Sequence, residues 1–134
     1  MRFNEFEGNE EAKKALSACV DGGRFPHALL LEGPKGSGRR TVARLLARAA
    51  VCTAPVREQR PCGRCPGCLK AAGGGHPDIE EAGGDGGVRS FHIEEVRRLR
   101  DTAYVLPNEA AYRVLILSEA QNMTEQAQNA LLKI

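Results

Sequence analysis

The chain has 134 residues, of which 42% are hydrophobic and 27% are charged, and its formal net charge is +2. This size and balance fit one small domain with a packed core and exclude global disorder, while so mild a charge does not by itself indicate a nucleic-acid partner. No apolar run approaches the roughly 18 residues of a membrane helix, and the charged first residues are unlike a signal sequence. We therefore expect a cytoplasmic protein with no membrane partner.

The N-terminal part of the sequence predicts a helix, a strand, a loop and a second helix. Asn9 can cap a helix over residues 9–21, and the run at 28–31 predicts a short buried strand. The glycine-rich stretch GPKGSGRRT follows at 33–41, and a helix runs from about 39 to 52. A strand, such a loop and a helix in this order are the context of a phosphate-binding loop. The residues predicted to face the core are Ala12, Ala15, Leu16, Cys19, Val20, Val42, Leu45, Leu46 and Ala49.

The rest of the sequence alternates between strands and helices. A Cys-, Pro- and Gly-rich insertion at 53–75 is followed by a predicted strand at 78–82 and a flexible turn at 83–87. Ser90 can cap the next helix, whose inward residues are Ile93, Val96, Leu99 and Ala103. A buried strand is predicted at 113–118, and Thr124 can cap a last helix with Ala127, Ala130 and Leu131 inward. This alternation favours an α/β fold with a parallel sheet.

The loop at 33–41 departs from the phosphate-loop pattern G-x-x-x-x-G-K-[ST]. Gly33 and Gly38 have the correct spacing, but Arg39 and Arg40 stand where the lysine and the hydroxyl belong. In a functional loop the backbone N–H groups hold the phosphates, the lysine neutralises them and the hydroxyl binds Mg²⁺. A register shifted by one residue to use Thr41 misplaces both glycines.

The strand at 113–118 departs from the pattern as well. In phosphate-loop proteins a strand of this kind ends in an acidic residue that anchors Mg²⁺, but here Ser118 precedes Glu119. A neutral hydroxyl is a poorer Mg²⁺ ligand than a carboxylate. We therefore predict a phosphate-loop fold without catalytic residues or an ATP–Mg²⁺ site. An active NTPase and an ordinary glycine-rich turn are the alternatives. At most, the loop binds an anion through Gly33, Gly36, Gly38, Arg39, Arg40 and Thr41.

Four of the five cysteines fall in one short window and read C-x9-C-x2-C-x2-C. Four thiolates fill a tetrahedral Zn²⁺ shell, and a polar, glycine-rich insertion needs a metal because it has little to bury. The sequence therefore predicts structural zinc, with a redox pair or free thiols as alternatives. His76 is a less favoured ligand, and Cys19 is predicted to be a small core residue. The predicted ligands are Cys52, Cys62, Cys65 and Cys68.

Two groups of arginines are either solvated faces or contacts for a partner or DNA. They are Arg97, Arg98 and Arg100 on one predicted helix, and Arg57, Arg60 and Arg64 around the cysteines. Aromatic residues that could stack on bases are not interleaved with them. A dedicated nucleic-acid reader is therefore disfavoured.

Together, these motifs resemble the N-terminal domain of bacterial DNA polymerase III clamp-loader subunits, the delta-prime and gamma/tau group of the AAA+ superfamily. The resemblance spans nearly the whole chain and rests on the order of its parts: a glycine-rich loop, a cysteine insertion and then an acidic-type strand. The stretches that carry it are FPHALLLEGPKGSGRRTVARLLARAAVC, the four cysteines, HPDI, IEEVRRLRDTAYVLPNEAAYRVLILSEAQNMT and QAQNALLKI.

The resemblance implies a truncated AAA+ phosphate-loop domain over residues 1–134, with the zinc insertion at about 52–75. In that group the gamma/tau subunits hydrolyse ATP, whereas delta-prime often has a degenerate loop. The departures at Arg39, Arg40 and Ser118 therefore point to delta-prime, a non-catalytic part of the DNA polymerase III holoenzyme. Its partners would be gamma/tau, delta, the sliding clamp indirectly, and primed DNA. The alternatives are a gamma/tau motor and a zinc-dependent nucleic-acid binding module.

The resemblance implies that the family pattern continues beyond the last helix to two more strands of the sheet. In AAA+ folds a further strand lies between the strands that correspond to 28–31 and 113–118. The family's arginine-finger motif would also lie beyond Ile134. Because unpaired apolar edges recruit other strands, we expect these two strands either to pair directly or to bind a second copy of the chain.

Overall fold

The computed structural model describes residues 1–83, 91–132 and 134. The chain forms two compact units, the first made of residues 1–76 and 110–112 and the second of residues 77–109 and 113–134. Helices and parallel strands are both present, which confirms the predicted α/β class. Among the described residues, no helix is long and apolar enough to cross a bilayer.

Two longer helices form the body of the first unit and confirm the helices predicted at its start. Asn9 caps the first of them, as predicted, because its side-chain oxygen accepts the Ala12 N–H at 3.2 Å. The elements of this unit are α1 (Glu10–Asp21), α2 (Arg39–Val51), a 3-10 turn (Arg57–Gln59) and α3 (Pro66–Ala72).

Helix α2 supplies half of the buried side chains of this unit. Its buried residues are Val42, Leu45, Ala47, Ala49, Ala50 and Val51. On α1, Leu16 and Val20 are buried, but Ala15 is exposed and Cys19 is only half-buried. Successive residues turn by about 100° around a helix, so Ala15 and Cys19 lie beside the stripe that Leu16 and Val20 define. The prediction that Cys19 is buried is therefore wrong.

The strand predicted at 28–31 is wrong. These residues have no regular secondary structure, and Leu29 and Leu30 are 49% and 80% exposed. A strand exists only through hydrogen bonds to a neighbour, and no ladder in the described part of the chain includes this run. The run therefore does not pair directly with residues 113–118, and the loop at 33–38 follows an irregular segment rather than a strand.

The second unit contains a two-stranded parallel sheet and two helices. Its elements are β1 (Ile79–Gly83), α4 (Ile93–Ala103), β2 (Val114–Ser118), a 3-10 turn (Ala120–Asn122) and α5 (Glu125–Leu131). In the sheet, Ile79 lies opposite Val114 and Gly83 lies opposite Ser118, which confirms the prediction of a parallel sheet. Within the described ranges, β2 pairs with β1 alone. Self-association through its other edge stays a prediction, which sedimentation at several concentrations tests.

The core of the second unit lies between the sheet and its two helices. Its buried residues are Ala82, Phe91, Val96, Leu99, Met123 and Ala127. The inward positions predicted at Val96, Leu99 and Ala127 are therefore confirmed, and Thr124 caps α5 as predicted by accepting the Ala127 N–H at 3.2 Å. The turn predicted at 83–87 (apart from its first residue) and the cap predicted at Ser90 lie outside the described residues.

A buried carboxylate holds the start of the sheet, and the sequence patterns did not single it out. Asp78 is 0% exposed and precedes β1. It accepts the backbone N–H groups of Asn108 and Glu109, the latter at 2.8 Å. The Arg113 guanidinium lies 3.6 Å from its Oδ1 atom. Asp78 therefore joins the start of both strands to the loop after α4.

Candidate metal centre

The four predicted cysteine ligands come together at one place in the first unit. Cys52 follows the last residue of α2, and Cys65 is the residue that caps α3. Cys68 lies in the first turn of α3, and Cys62 belongs to the turn before it. Two helix ends and one short turn therefore position all four thiol groups.

The sulfur atoms have the separations that a tetrahedral metal site needs. All four lie within 4.8 Å of one another. The Sγ atoms of Cys52 and Cys65 are 3.9 Å apart, and those of Cys62 and Cys68 are 4.0 Å apart. Zn–S bonds of about 2.3 Å in a tetrahedron place sulfurs about 3.8 Å apart. A disulfide requires about 2.05 Å, so these cysteines are free thiols that could hold a metal.

Backbone N–H groups point at the sulfurs. Cys62 N–H donates to the Sγ of Cys52, Cys65 N–H to that of Cys62, and Cys68 N–H to that of Cys65, each at 3.4 Å. Ala54 N–H also donates to Cys52 Sγ, at 3.5 Å. Donors around a sulfur favour its charged form. The turns are thus shaped to stabilise thiolates, which are the form that binds a metal.

Burial and these hydrogen bonds set the thiol pKa values in opposite directions. Burial raises the pKa of Cys68 to about 12 and also raises the pKa of Cys52. The backbone N–H of Arg64 lowers the pKa of Cys62. Burial opposes ionisation of Cys65, but hydrogen bonds from Thr53 and Cys68 outweigh it and lower the pKa to about 6. Full ionisation of so close a group needs a bound cation, so the cluster fits a divalent metal.

Gly67 allows α3 to approach the end of α2. Replacing this glycine tests how closely the two helices pack beside the cysteine cluster. A Cβ at this position would lie 2.5 Å from the Val51 carbonyl oxygen, which is backbone and cannot swing away. We expect Gly67→Ala to cost about 1–3 kcal/mol of folding free energy, by the overpacking rule. Gly75→Ala is the matched control because a Cβ there meets nothing within 4 Å. Equal urea midpoints for the two variants would contradict this packing.

His76 is buried but does not belong to the sulfur cluster. It is 5% exposed, in the turn before β1. The group of metal-binding side chains found among the described residues consists of the four cysteines. The spacing of the cysteines therefore predicted which four side chains come together, and His76 is not among them. Binding of zinc by this cluster stays a prediction.

The candidate phosphate loop lies at the start of α2. Gly36 and Gly38 have φ values of 84° and 81°, and Gly38 precedes the helix without a side-chain cap. Arg39 is half-buried, whereas Arg40 and Thr41 are exposed. The first turn of α2 contains no acidic residue. Gly33, Gly36, Gly38, Arg39, Arg40 and Thr41 thus form a loop and a helix start, without the predicted strand before them.

Ser118 ends β2 in the second unit. Its hydroxyl lies 3.4 Å from Glu81 Oε1 on the neighbouring strand. Glu119 follows in the left-handed conformation, with φ of 55°. The hydroxyl is therefore engaged within the sheet.

The two groups of arginines differ in their surroundings. Arg98 pairs with Glu80 at 3.2 Å, and Arg100 pairs with Asp101 at 3.3 Å. Arg60 donates two hydrogen bonds to the Ala54 carbonyl oxygen, so it supports the chain around the cysteines. The remaining members of these groups, Arg57, Arg64 and Arg97, are exposed.

Comparison with known proteins shows that the chain is similar to subunits of DNA polymerase III. Residues 8–134 match the family described as DNA polymerase III, delta subunit. The chain is 39% identical to the DNA polymerase III subunit gamma/tau of Mycobacterium tuberculosis over 98% of its own length. It is 35% identical to the tau subunit of Bacillus subtilis over 99% of its length, and 31% identical to the tau subunit of Salmonella typhimurium over 98%. The aligned regions span 22%, 23% and 20% of those three relatives.

Proposed function

The chain belongs to the family described as DNA polymerase III, delta subunit, and from that membership we propose that it acts in a bacterial clamp loader. Its role there is that of the delta-prime subunit, which does not hydrolyse ATP. As part of that complex it helps to open the sliding clamp and place it on primed DNA in the cytoplasm. Its direct partners are the gamma/tau and delta subunits, and it reaches the clamp and the DNA through the assembly.

One observation supports the absence of hydrolysis: three positions that ATP hydrolysis requires are occupied by residues that cannot perform its chemistry. Arg39 and Arg40 replace the lysine and the hydroxyl at the start of α2. The Ser118 hydroxyl takes the place of a carboxylate, and it lies against Glu81 in its own sheet. A forked guanidinium does not reproduce a lysine, and Arg40 offers Mg²⁺ no ligand.

The metal centre supports this architectural role. We propose that Zn²⁺ binds Cys52, Cys62, Cys65 and Cys68, whose sulfurs all lie within 4.8 Å. Four thiolates leave no open position for a substrate or a water, so the ion is structural. It holds the insertion to the end of α2 and keeps that surface rigid within the assembly.

ATP turnover tests the proposal. We expect the full-length protein to show no Mg²⁺-dependent release of phosphate above background, because neither the lysine nor the metal ligands are present. Arg39→Lys combined with Arg40→Thr is the matched control for the loop, and it should stay inactive because Ser118 is unchanged. A pull-down with a gamma/tau subunit checks the assembly separately. Turnover by the unaltered protein, or failure to enter the complex, would overturn the proposal.

The second candidate is an ATP-hydrolysing motor of the same complex. It is favoured by the names of the relatives, which are gamma/tau, tau and gamma subunits. The turnover experiment separates the two roles directly. A rate that rises with ATP and disappears when Mg²⁺ is removed would assign the chain to the motors.

A further inference from the structure

The side chain of Phe6 packs against the end of the candidate phosphate loop. Its ring atoms Cε2 and Cδ2 lie 2.7 and 3.1 Å from the position that a Cβ on Gly38 would occupy. Gly38 also has a φ of 81°, so this position favours glycine both by conformation and by space. The ring therefore covers the point at which the loop becomes helix α2.

The segment that carries this ring is held in place at both ends. Arg2 N–H donates to the Arg60 carbonyl oxygen at 2.7 Å. Glu5 pairs with Arg48, in the last turn of α2, at 2.5 Å. Because Glu5 precedes Phe6 directly, this ion pair restrains the ring. The contact is thus part of a fixed segment rather than a chance position of one side chain.

A lysine on α1 supports the ring from another side. Lys13 Nζ lies 5.9 Å from the centroid of the Phe6 ring. At this separation a cation is attracted to the face of an aromatic ring. Lys13 also pairs with Glu10 at 3.1 Å, so its position is itself restrained.

The loop beneath the ring is folded on itself. Ser37 N–H donates to the Pro34 carbonyl oxygen at 3.2 Å. The Ser37 Oγ atom lies 2.8 Å from the position that a Cβ on Gly33 would occupy. An N–H group that is used inside the loop is not offered to a phosphate. The loop therefore lacks part of the donor set that a phosphate-binding nest presents.

The charges at this helix end would favour an anion if the ring were absent. Arg39 and Arg40 both lie in the first turn of α2, which contains no acidic residue and no side-chain cap. Positive side chains at the positive end of the helix dipole are unfavourable, and an anion would relieve that cost. An apolar ring accepts no hydrogen bond from the helix. An anion and the ring therefore compete for the same end of α2.

We infer that Phe6 is a plug that keeps the phosphate chain of a nucleotide out of the loop at 33–38. The inference rests on the proposed function and deepens it, since it adds a steric reason for the absence of ATP chemistry to the substituted residues. The segment from Arg2 to Phe6, which is anchored on Arg60 and Arg48, holds the loop closed.

Titration with inorganic pyrophosphate tests the plug. We expect Phe6→Ala in the full-length protein to bind pyrophosphate about tenfold more tightly than the unaltered protein, because a closed site lowers the apparent affinity by its open fraction. Phe3→Ala is the matched control, because it removes a ring from the same segment, whereas the three atoms nearest to a Cβ on Gly38 all belong to Phe6. Equal affinity of Phe6→Ala and the unaltered protein would overturn the inference, and so would an equal gain in Phe3→Ala.

A second variant keeps the test decisive if Phe6→Ala does not fold. These 134 residues contain no tryptophan, so Phe6→Trp in this chain introduces a single indole, which reports on the plug by its fluorescence. We expect blue-shifted emission, as for a packed indole, and no change on addition of pyrophosphate. Emission typical of a solvated indole, or a red shift at low pyrophosphate concentration, would show that the ring does not close the loop.

Failure of the plug can be distinguished from failure of the proposed function. If the unaltered protein does not turn over ATP and Phe6→Ala gains no affinity, only the plug is wrong. If the unaltered protein does turn over ATP, both the non-hydrolysing role and the plug are wrong. If it does not enter a complex with a gamma/tau subunit but Phe6→Ala still gains affinity, only the proposed function is wrong.

Discussion

Cys65→Ser will release the metal and disorder the insertion at 52–75 while leaving the sheet of the second unit folded. Structural Zn²⁺ contributes an apparent binding free energy of about 10–16 kcal/mol, so each of four thiolates accounts for about 3 kcal/mol. Loss of one should therefore lower the metal affinity by more than about a hundredfold. Cys65 is also the cap of α3, because its sulfur accepts the Cys68 N–H. Serine is itself a favoured N-cap, so the substitution removes the metal ligand while keeping an acceptor at the start of α3.

Metal analysis and limited proteolysis measure this effect. The unaltered protein should contain about one Zn²⁺ per chain and should resist cleavage in the insertion. Cys19→Ser is the control, because Cys19 is half-buried and lies outside the sulfur cluster. Unaltered metal content in Cys65→Ser, or the absence of metal from the unaltered protein, would contradict the assignment.

Asp78→Ala will destabilise the second unit by about 3–5 kcal/mol, the range for removing one partner of a buried ion pair. The carboxylate is fully buried, and it accepts two backbone N–H groups besides facing Arg113. Its removal leaves Arg113 without this anion, and the N–H groups of Asn108 and Glu109 without their acceptor. Both of these hydrogen bonds are part-buried, and the loss of the acceptor is costly to the extent that water cannot replace it.

Urea unfolding followed by circular dichroism measures the loss. Asp101→Ala is the matched control, because the Asp101 side chain is 73% exposed and pairs with Arg100 at the surface. Such a pair contributes about 0.5 kcal/mol or less. Asp78→Asn should fall between the two, since it keeps an acceptor for one N–H. If Asp78→Ala and Asp101→Ala had the same midpoint, Asp78 would not be the anchor of the sheet.

Local patterns predicted most of the helices and the clustering of the four cysteines. A capping residue such as Asn9 or Thr124 fixes the start of a helix by a hydrogen bond to the residue three positions later. A few neighbouring residues are therefore enough to predict where the helix begins. The cysteine spacing has the same property, because two helix ends and one short turn are enough to bring the sulfurs together. The run of β2 was recognisable as a strand from its apolar composition, although only Ile116 of its five residues is buried.

What the sequence determined by itself was therefore the chemistry of residues close together in the chain: the helix caps, the four-cysteine centre and the loss of lysine and hydroxyl at Arg39 and Arg40. The tertiary structure decided the rest. The run at 28–31 is as apolar as β2, yet its Leu30 is 80% exposed. A strand needs a hydrogen-bonding neighbour, and the residues of the run do not specify one. Asp78 and Phe6 gained their importance from contacts with Asn108 and Gly38, about 30 residues away in each case. Such contacts depend on how distant segments meet, and no local pattern contains that information.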